Sequence, residues 1–571
     1  MNLSPNDRLA GVLAPLFALR TENDLGVGDL EALRQFIVWA RRIGFRLVQL
    51  LPITETGGDG SPYNAISARA IDPTTLHLAP GSPEDLSKEA FAEITRAIDL
   101  AKLRRGNVRY DLVKPLKKKL LERAFAHFQT RSPNESFGSF CETEGDWLDD
   151  YTLFRVLMEQ NGEREIWDEW PQRGVAEARR WLDSLGETDR KQFEQRRQFF
   201  RYVQWIAHGQ WRAVKAFAAE QDVALMGDIP FGVSYYSADV FAHPEWFHLD
   251  WSGGAPPEPY FKNDEFTQKW GQNWGIPVYR WEQMRRDNFR WWRQRIAGVK
   301  ETCHIFRIDH VLGFFRVYAF PWRPQRNAQF LPLNWEEMLA CTGGRAPHFV
   351  PRNDESWENC AANQREGEEY LRVVLEASGA TRVVGEDLGT VPNYVRPSLR
   401  SLGIAGFKIP QWENYADGPS IPGSAYEPLS VATFATHDHQ PIRAIWDKAM
   451  SGKGKDVDQA RHDLAKIGEF AGFMPNDSVD YLRDFYPAIF SALFRCESWI
   501  AIVMITDLLG RKDRFNVPGT AANSNWTRRL HTSVSKLGGG TVLKRRLQRI
   551  HQLLEETGRL SSGPSAAKEE K

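Results

Sequence analysis

The chain has 571 residues, 42% hydrophobic and 26% charged, which is the balance of a packed globular protein and argues against a disordered one. Its formal net charge of −1 gives no electrostatic footprint for nucleic acid or an anionic membrane, and no uncharged apolar run approaches the ~20 residues that span a bilayer. Five widely spaced cysteines without a CxxC pair argue against a disulfide framework or a structural zinc site, and residues 1–9 lack the apolar stretch of a signal peptide, so a cytoplasmic location is expected.

In chain order, residues 11–16 read as a short buried strand. Asp29 then caps an amphipathic helix with Leu30, Leu33, Phe36, Ile37 and Ala40 on one face, and Gly44 stands where the helix should end. Residues 46–51 form the second strand. The same grammar returns downstream. Helix 204–219 precedes strand 224–229, helix 289–299 precedes strand 305–309, helix 368–377 precedes strand 383–386, and helix 394–402 precedes strand 405–409. Strands 431–436 and 501–506 complete the series. Eight such repeats predict a closed parallel (β/α)8 barrel within the α/β class, with no separate C-terminal β-domain.

The uneven spacing locates the insertions in a single catalytic domain over residues 1–560. A helical subdomain is expected at about 75–200, with Ser82-Pro83 opening one helix that carries Phe91, Ile94 and Ile98. A Pro-, Asn- and Gly-rich insertion at about 320–366 reads as loops over the mouth. The tail, 561–571, is too poor in hydrophobic residues to fold.

Active sites of such barrels lie at the C-terminal ends of the strands. Here strands end in Gly227-Asp228, Arg307-Ile308-Asp309-His310, Gly385-Glu386-Asp387 and Thr436-His437-Asp438-His439. One such acid is more often a cap or a salt-bridge partner; several on one rim need shifted pKa values, a cation or sugar hydroxyls to offset their repulsion. Glycoside chemistry fits this pattern. A retaining enzyme uses a nucleophilic carboxylate and an acid/base carboxyl, and a third carboxylate can bind the sugar hydroxyls. Asp309 is the expected nucleophile, with Arg307 two residues back keeping it ionised. Glu386 is the expected acid/base, its pKa raised by neighbouring charge and partial burial. A rival reading makes His437 and His439 metal ligands, since alternate residues of a strand face the same way.

The segments resemble the 4-α-glucanotransferase family (amylomaltase or disproportionating enzyme, glycoside hydrolase family 77). The matching stretches include Gly26-Val27-Gly28-Asp29, Ser61-Pro62-Tyr63-Asn64, Gly227-Asp228-Ile229-Pro230, His243-Pro244-Glu245-Trp246, Gly271-Gln272-Asn273-Trp274, Arg307 to His310, Gly385 to Gly389, Thr436 to Asp438 and Asn516-Val517-Pro518-Gly519-Thr520. The resemblance implies retaining transfer of a glucan to the 4-OH of another sugar. It makes Asp309 the nucleophile, Glu386 the acid/base and Asp438 the transition-state stabiliser. It places Ser61, Tyr63, Asp228, Gln272, Trp274, Arg307, Asp387, His437, Asn516 and Pro518 at sugar-binding positions, and residues 253–274 in a mobile loop over the acceptor side. It also implies no metal or organic cofactor. The implied partners are maltooligosaccharides, and glycogen or another α-glucan, with the protein a monomer or homodimer. Leu312, where many members carry Arg, and Pro230-Phe231-Gly232-Val233 look more like the plant cytosolic branch. A plain α-glucan hydrolase is the alternative, since it shares the same covalent intermediate.

Overall fold

The computed structural model describes residues 3–257, 264–416, 418–454, 456–476, 478–518 and 524–560. Twelve strands occur among them. In chain order they are β1 (Leu9–Leu13), β2 (Leu47–Gln49), β3 (Ala224–Pro230), β4 (Phe247–Ala255), β5 (Gln272–Tyr279), β6 (Ile305–Asp309), β7 (Val317–Phe320), β8 (His348–Val350), β9 (Arg382–Gly385), β10 (Gly406–Lys408), β11 (Ser430–Thr433) and β12 (Ile500–Met504). Eight form one parallel sheet in the order β10-β11-β12-β1-β2-β3-β6-β9. Its two ends meet, because Val384 bridges Ala405 and the Gly385 N–H donates to the Ala405 carbonyl at 2.9 Å. The sheet therefore closes as a (β/α)8 barrel. Among the described residues, no strand follows β12.

All eight expected barrel strands are present, with shifted ends. The first stops at Leu13, because a 3-10 turn at Leu16–Ala18 follows Pro15. The seventh stops at Thr433, whose hydroxyl donates to the Ala435 carbonyl and accepts from the Ala435 N–H, a local pairing that competes with the ladder. The eighth gives way to helix Ile505–Leu508. Helix Leu30–Ile43 behaves as its caps predict. The Asp29 side chain accepts from the N–H groups of Glu31 and Ala32, and Gly44 takes φ 109°.

Between β2 and β3 the chain inserts seven α-helices, ending in the 34-residue helix Glu187–Glu220. Only its second half was legible, because the first half is densely charged. Ser82-Pro83 does not open a helix. Ser87 caps the next one, Lys88–Thr95, by accepting from the Ala90 N–H. The insertion at 320–366 is more ordered than its composition suggests. It contains β8, helices Asn327–Phe330 and Trp335–Thr342, and the start of helix Trp357–Ser378.

A second sheet, antiparallel in the order β5-β4-β7-β8, is absent from the sequence reading. Trp270, Phe320, Trp322, Phe330 and Met338 form its own small core. Residues 253–274, expected as one mobile loop, include the end of β4, helix Glu265–Lys269 and the start of β5; residues 258–263 lie outside the described residues. The glycines that suggested a loop serve close strand contact. A Cβ on Gly254 would lie 1.8 Å from the Gln272 carbonyl oxygen. The expected disordered tail, 561–571, also lies outside the described residues. No helix among the described residues is long and apolar enough to cross a membrane.

After β12 the chain returns beside the loop that leaves β1. The Leu530 N–H donates to the Ala18 carbonyl at 2.8 Å, and the Val108 N–H donates to the Thr527 carbonyl at 2.7 Å. Arg529, with no exposed side-chain surface, pairs with buried Asp24 at 2.7 Å and donates to the Leu19 carbonyl. Removing this cation would leave the buried Asp24 charge only the N–H groups of Thr21 and Gly26, a loss of roughly 3–5 kcal/mol. Arg529→Met is therefore expected to lower the thermal midpoint by several degrees; a midpoint within about 1 °C of wild type would show that the pair contributes nothing.

Candidate active site

Strand β6 sets the centre of the site. Arg307 and Asp309, two residues apart, face the same way. Asp228 on β3 stands directly opposite Arg307 in the sheet register. The guanidinium Nη1 donates to both oxygens of Asp228, at 2.9 and 2.7 Å, while Nη2 lies 2.6 Å from Asp309 Oδ1 and 3.8 Å from Glu386 Oε2. Burial disfavours the guanidinium charge, but Asp228 and Asp309 more than compensate and hold it firmly protonated.

That one nitrogen bounds the separation of the two outer carboxylates. Their nearest oxygens therefore lie no farther apart than the two contacts laid end to end, a range that includes the about 5–5.5 Å of retaining pairs. Exposure divides the cluster. Arg307 and Asp228 are buried and form its floor, whereas the Asp309 side chain is 29% exposed and Asp438 40%.

Glu386 follows β9, where Gly385 lets the chain approach the turn after β6; a Cβ there would lie 3.1 Å from the Val311 side chain. Glu386 Oε2 accepts from the His310 N–H at 2.8 Å and Oε1 from the Leu388 N–H at 2.9 Å. Burial pushes the Glu386 carboxyl up to about 7, opposed by Arg307 and assisted by the charge of Asp309. The sequence reading ranked neighbouring charge with burial; here burial is the larger cause.

Asp438 lies beyond the end of β11, on irregular chain. Burial works against its charge, yet His437 and Asn516 hold it well below the usual carboxylate range. His437 Nε2 is 3.3 Å from Oδ2, and Asn516 Nδ2 donates to Oδ1 at 2.6 Å. Burial disfavours the His437 cation, but Asp438 raises its pKa above the ordinary value. The Tyr63 hydroxyl donates to Asp228 Oδ2 at 2.6 Å and lies 3.3 Å from His437 Nδ1, and the two rings stack with centroids 4.8 Å apart.

The two histidines proposed as a metal pair have different surroundings. Because β11 has already ended, His439 does not continue a strand alternation; its Nδ1 accepts from the Thr436 N–H at 3.0 Å while His437 faces Tyr63 and Asp438. Among the described residues, no three His, Cys, Asp or Glu side chains are grouped to hold a metal ion.

The remaining expected residues divide. Trp274, 38% exposed, stands edge-on to His310 with centroids 4.8 Å apart and donates its indole N–H to Gln272 Oε1. Thus β5, from the second sheet, brings Trp274 against His310, the residue after Asp309, with Gln272 hydrogen-bonded to the indole. The Ser61 hydroxyl oxygen accepts from the Tyr63 N–H and shapes the turn that presents the ring. Asp387 does not join the cluster. It is buried, accepting from the Phe407 N–H at 2.6 Å and pairing with Arg396 at 3.0 Å. Pro518 is half-buried, and residues 519–523 after it lie outside the described residues.

Three neighbours were not assigned to sugar chemistry from sequence. His310, in the left-handed region at φ 51°, aims its N–H at Glu386, and burial lowers its pKa to about 4, leaving it neutral. Arg514 donates to the Asp438 carbonyl, and Trp526 packs on Tyr63 and His437. A positive φ at His310 leaves no sequence mark, and the other two sit on irregular chain without periodicity.

A (β/α)8 barrel with two carboxylates this close at its C-terminal rim, one keeping its proton near neutrality, defines an enzyme of glycosidic bonds. The family model for the 4-alpha-glucanotransferases, glycoside hydrolase family 77, matches residues 14–535, and the chain belongs to that family. A 4-alpha-glucanotransferase from Chlamydia caviae is 31% identical over 543 residues, covering 92% of this chain and 91% of its own. The rice 4-alpha-glucanotransferase DPE2 is 32% identical over 325 residues, which is 55% of this chain and 32% of the rice protein. Among solved structures, the amylomaltase from Streptococcus agalactiae in complex with acarbose shares the fold at a TM-score of 0.72 and 21% identity, covering 97% of this chain and all of that one.

Proposed function

We propose that the protein moves α-1,4-glucan segments or glucosyl units from a maltooligosaccharide to the 4-OH of an acceptor glucan or glucose by double displacement. Asp309 attacks the anomeric carbon while Glu386 donates its proton to the departing sugar oxygen. Glu386 then takes the proton of the acceptor hydroxyl as that oxygen displaces Asp309. Asp438 binds the hydroxyls beside the reacting carbon, and its neighbours Asn516 and His437 hold it ionised for that task. Arg307 and Asp228 form the charged floor that fixes Asp309, and Tyr63, Gln272 and Trp274 offer faces and polar edges to sugar rings. The observation that carries this reading is the contact of one Arg307 nitrogen with both Asp309 and Glu386.

The reading treats residues 1–560 as one catalytic domain with its insertions, acting in the cytoplasm; five cysteines without a disulfide suit a reducing compartment. Acceptors include maltooligosaccharides and a branched glucan such as glycogen. Incubation with maltotriose, and separately with maltose plus glycogen, is expected to release glucose with matching growth of longer chains and little net gain of reducing ends. Reducing ends rising in step with glucose would make the protein a hydrolase instead.

A further inference from the structure

Trp526 holds a backbone conformation that bulky residues rarely adopt, with φ at +59°. Strain of this kind persists only where the surroundings enforce it, and it gathers at working sites. The surroundings here are specific. The Trp526 N–H donates to the Phe515 carbonyl at 2.9 Å, and its carbonyl accepts from the Tyr110 hydroxyl at 3.0 Å. Phe515 directly precedes Asn516, the partner of Asp438. Tyr110 opens helix Tyr110–Phe128 of the helical insertion. The indole, 8% exposed, packs against Tyr63 and His437 together, with centroids 5.7 Å from each and tilts of 44° and 41°.

We infer that Trp526 is a positioning residue for bond cleavage, a wedge that fixes the stacked Tyr63–His437 pair between Asp228 and Asp438 and is itself held by Tyr110 of the helical insertion. The inference rests on the glucan-transfer reading of the site. Tyr63 is anchored at its hydroxyl to Asp228, and His437 at Nε2 to Asp438. Those are contacts at the tips of the rings; the indole supplies the contact across both. Without it the pair keeps its tip contacts but loses the packing that fixes the ring planes, and misplacement of about 1 Å beside a reacting centre costs on the order of 10²-fold in rate. The penalty falls on the cleavage step, because the pair holds Asp228 at one end and Asp438 at the other. The strained turn thereby couples the helical insertion to the geometry of the mouth.

The test is cleavage of maltotriose by Trp526→Ala and Trp526→Phe, counted as glucose released per folded molecule, with near-ultraviolet circular dichroism as the measure of folding. We expect kcat to fall at least tenfold in Trp526→Ala with KM within about threefold of wild type, and Trp526→Phe to recover at least a third of the activity. An unchanged kcat per folded molecule, or a loss confined to KM, overturns the inference. Should Trp526→Ala not fold, Tyr110→Phe decides. It removes only the hydroxyl that holds the Trp526 carbonyl, and kcat should fall about threefold at constant KM; an unchanged kcat overturns the proposal. Counting cleavage keeps this apart from the transferase reading, because wild-type cleavage resolved by water would remove that reading and leave the comparison of variants intact.

Discussion

Asp309→Asn is expected to abolish transfer, with turnover lowered roughly 10⁴-fold or more, the scale of removing a nucleophile that acts as one unit with its partners. The amide keeps the shape of the side chain and removes the charge that, in the proposed mechanism, attacks carbon. Arg307 still pairs with Asp228 at 2.7 Å, so its guanidinium is not left alone, and the variant should fold as wild type does. Covalent labelling separates this loss from misfolding. A fluorinated glucosyl donor traps the intermediate on the nucleophile, and the mass increase seen in wild type should be absent from Asp309→Asn. Labelling that persists in the variant would move the nucleophile elsewhere.

The second large effect belongs to Glu386. Glu386→Gln removes the proton donated to the leaving sugar and should slow transfer from maltotriose by about 10²–10⁴-fold. A glucosyl fluoride donor leaves without needing a proton, so its first step should be nearly spared. The sign of the pH dependence follows from burial. With its carboxyl raised to about 7, Glu386 holds its proton in mildly acidic conditions and loses it as pH rises through about 7. The acid needed by the free enzyme is thus present below about 7, and kcat/KM for maltotriose should decline as pH rises through that value. In Glu386→Gln this alkaline limb should vanish. If the limb remains at the same pH in the variant, another group supplies the proton.

The same carboxyl has a cost to the fold. Its pKa is raised on folding, so the folded state binds a proton that the unfolded chain releases near its ordinary value. Burial of this group therefore subtracts stability progressively as pH climbs from the ordinary glutamate range to about 7. The N–H groups of His310 and Leu388 offset part of that penalty. The proposed mechanism accounts for this cost, because the retained proton is the one it delivers to the leaving sugar.

Sequence alone determined the barrel and its acidic rim. Eight buried strands, most with an amphipathic helix before them, carry their own periodicity, and β6 with its Arg307–Asp309 spacing states the heart of the site in five residues. Glu386 and Asp438 were also legible, because each follows a recognisable strand. Tertiary structure alone decided three other matters. The antiparallel sheet of β4, β5, β7 and β8 pairs segments far apart in the chain, and its glycines, which read as loop, are there so that β4 and β5 can touch. Asp387, adjacent to Glu386 in the chain, turns away to the Phe407 N–H of β10 and to Arg396 of helix Val395–Ser401, partners that the next βα unit brings to it. Trp526 meets Tyr63, more than four hundred positions away, and His437, 89 positions away, through the closure of the barrel, and no local pattern encodes either contact. Local periodicity specifies elements because it arises within one turn or one pleat; which side chains face each other across the mouth depends on how the closed barrel brings distant loops together.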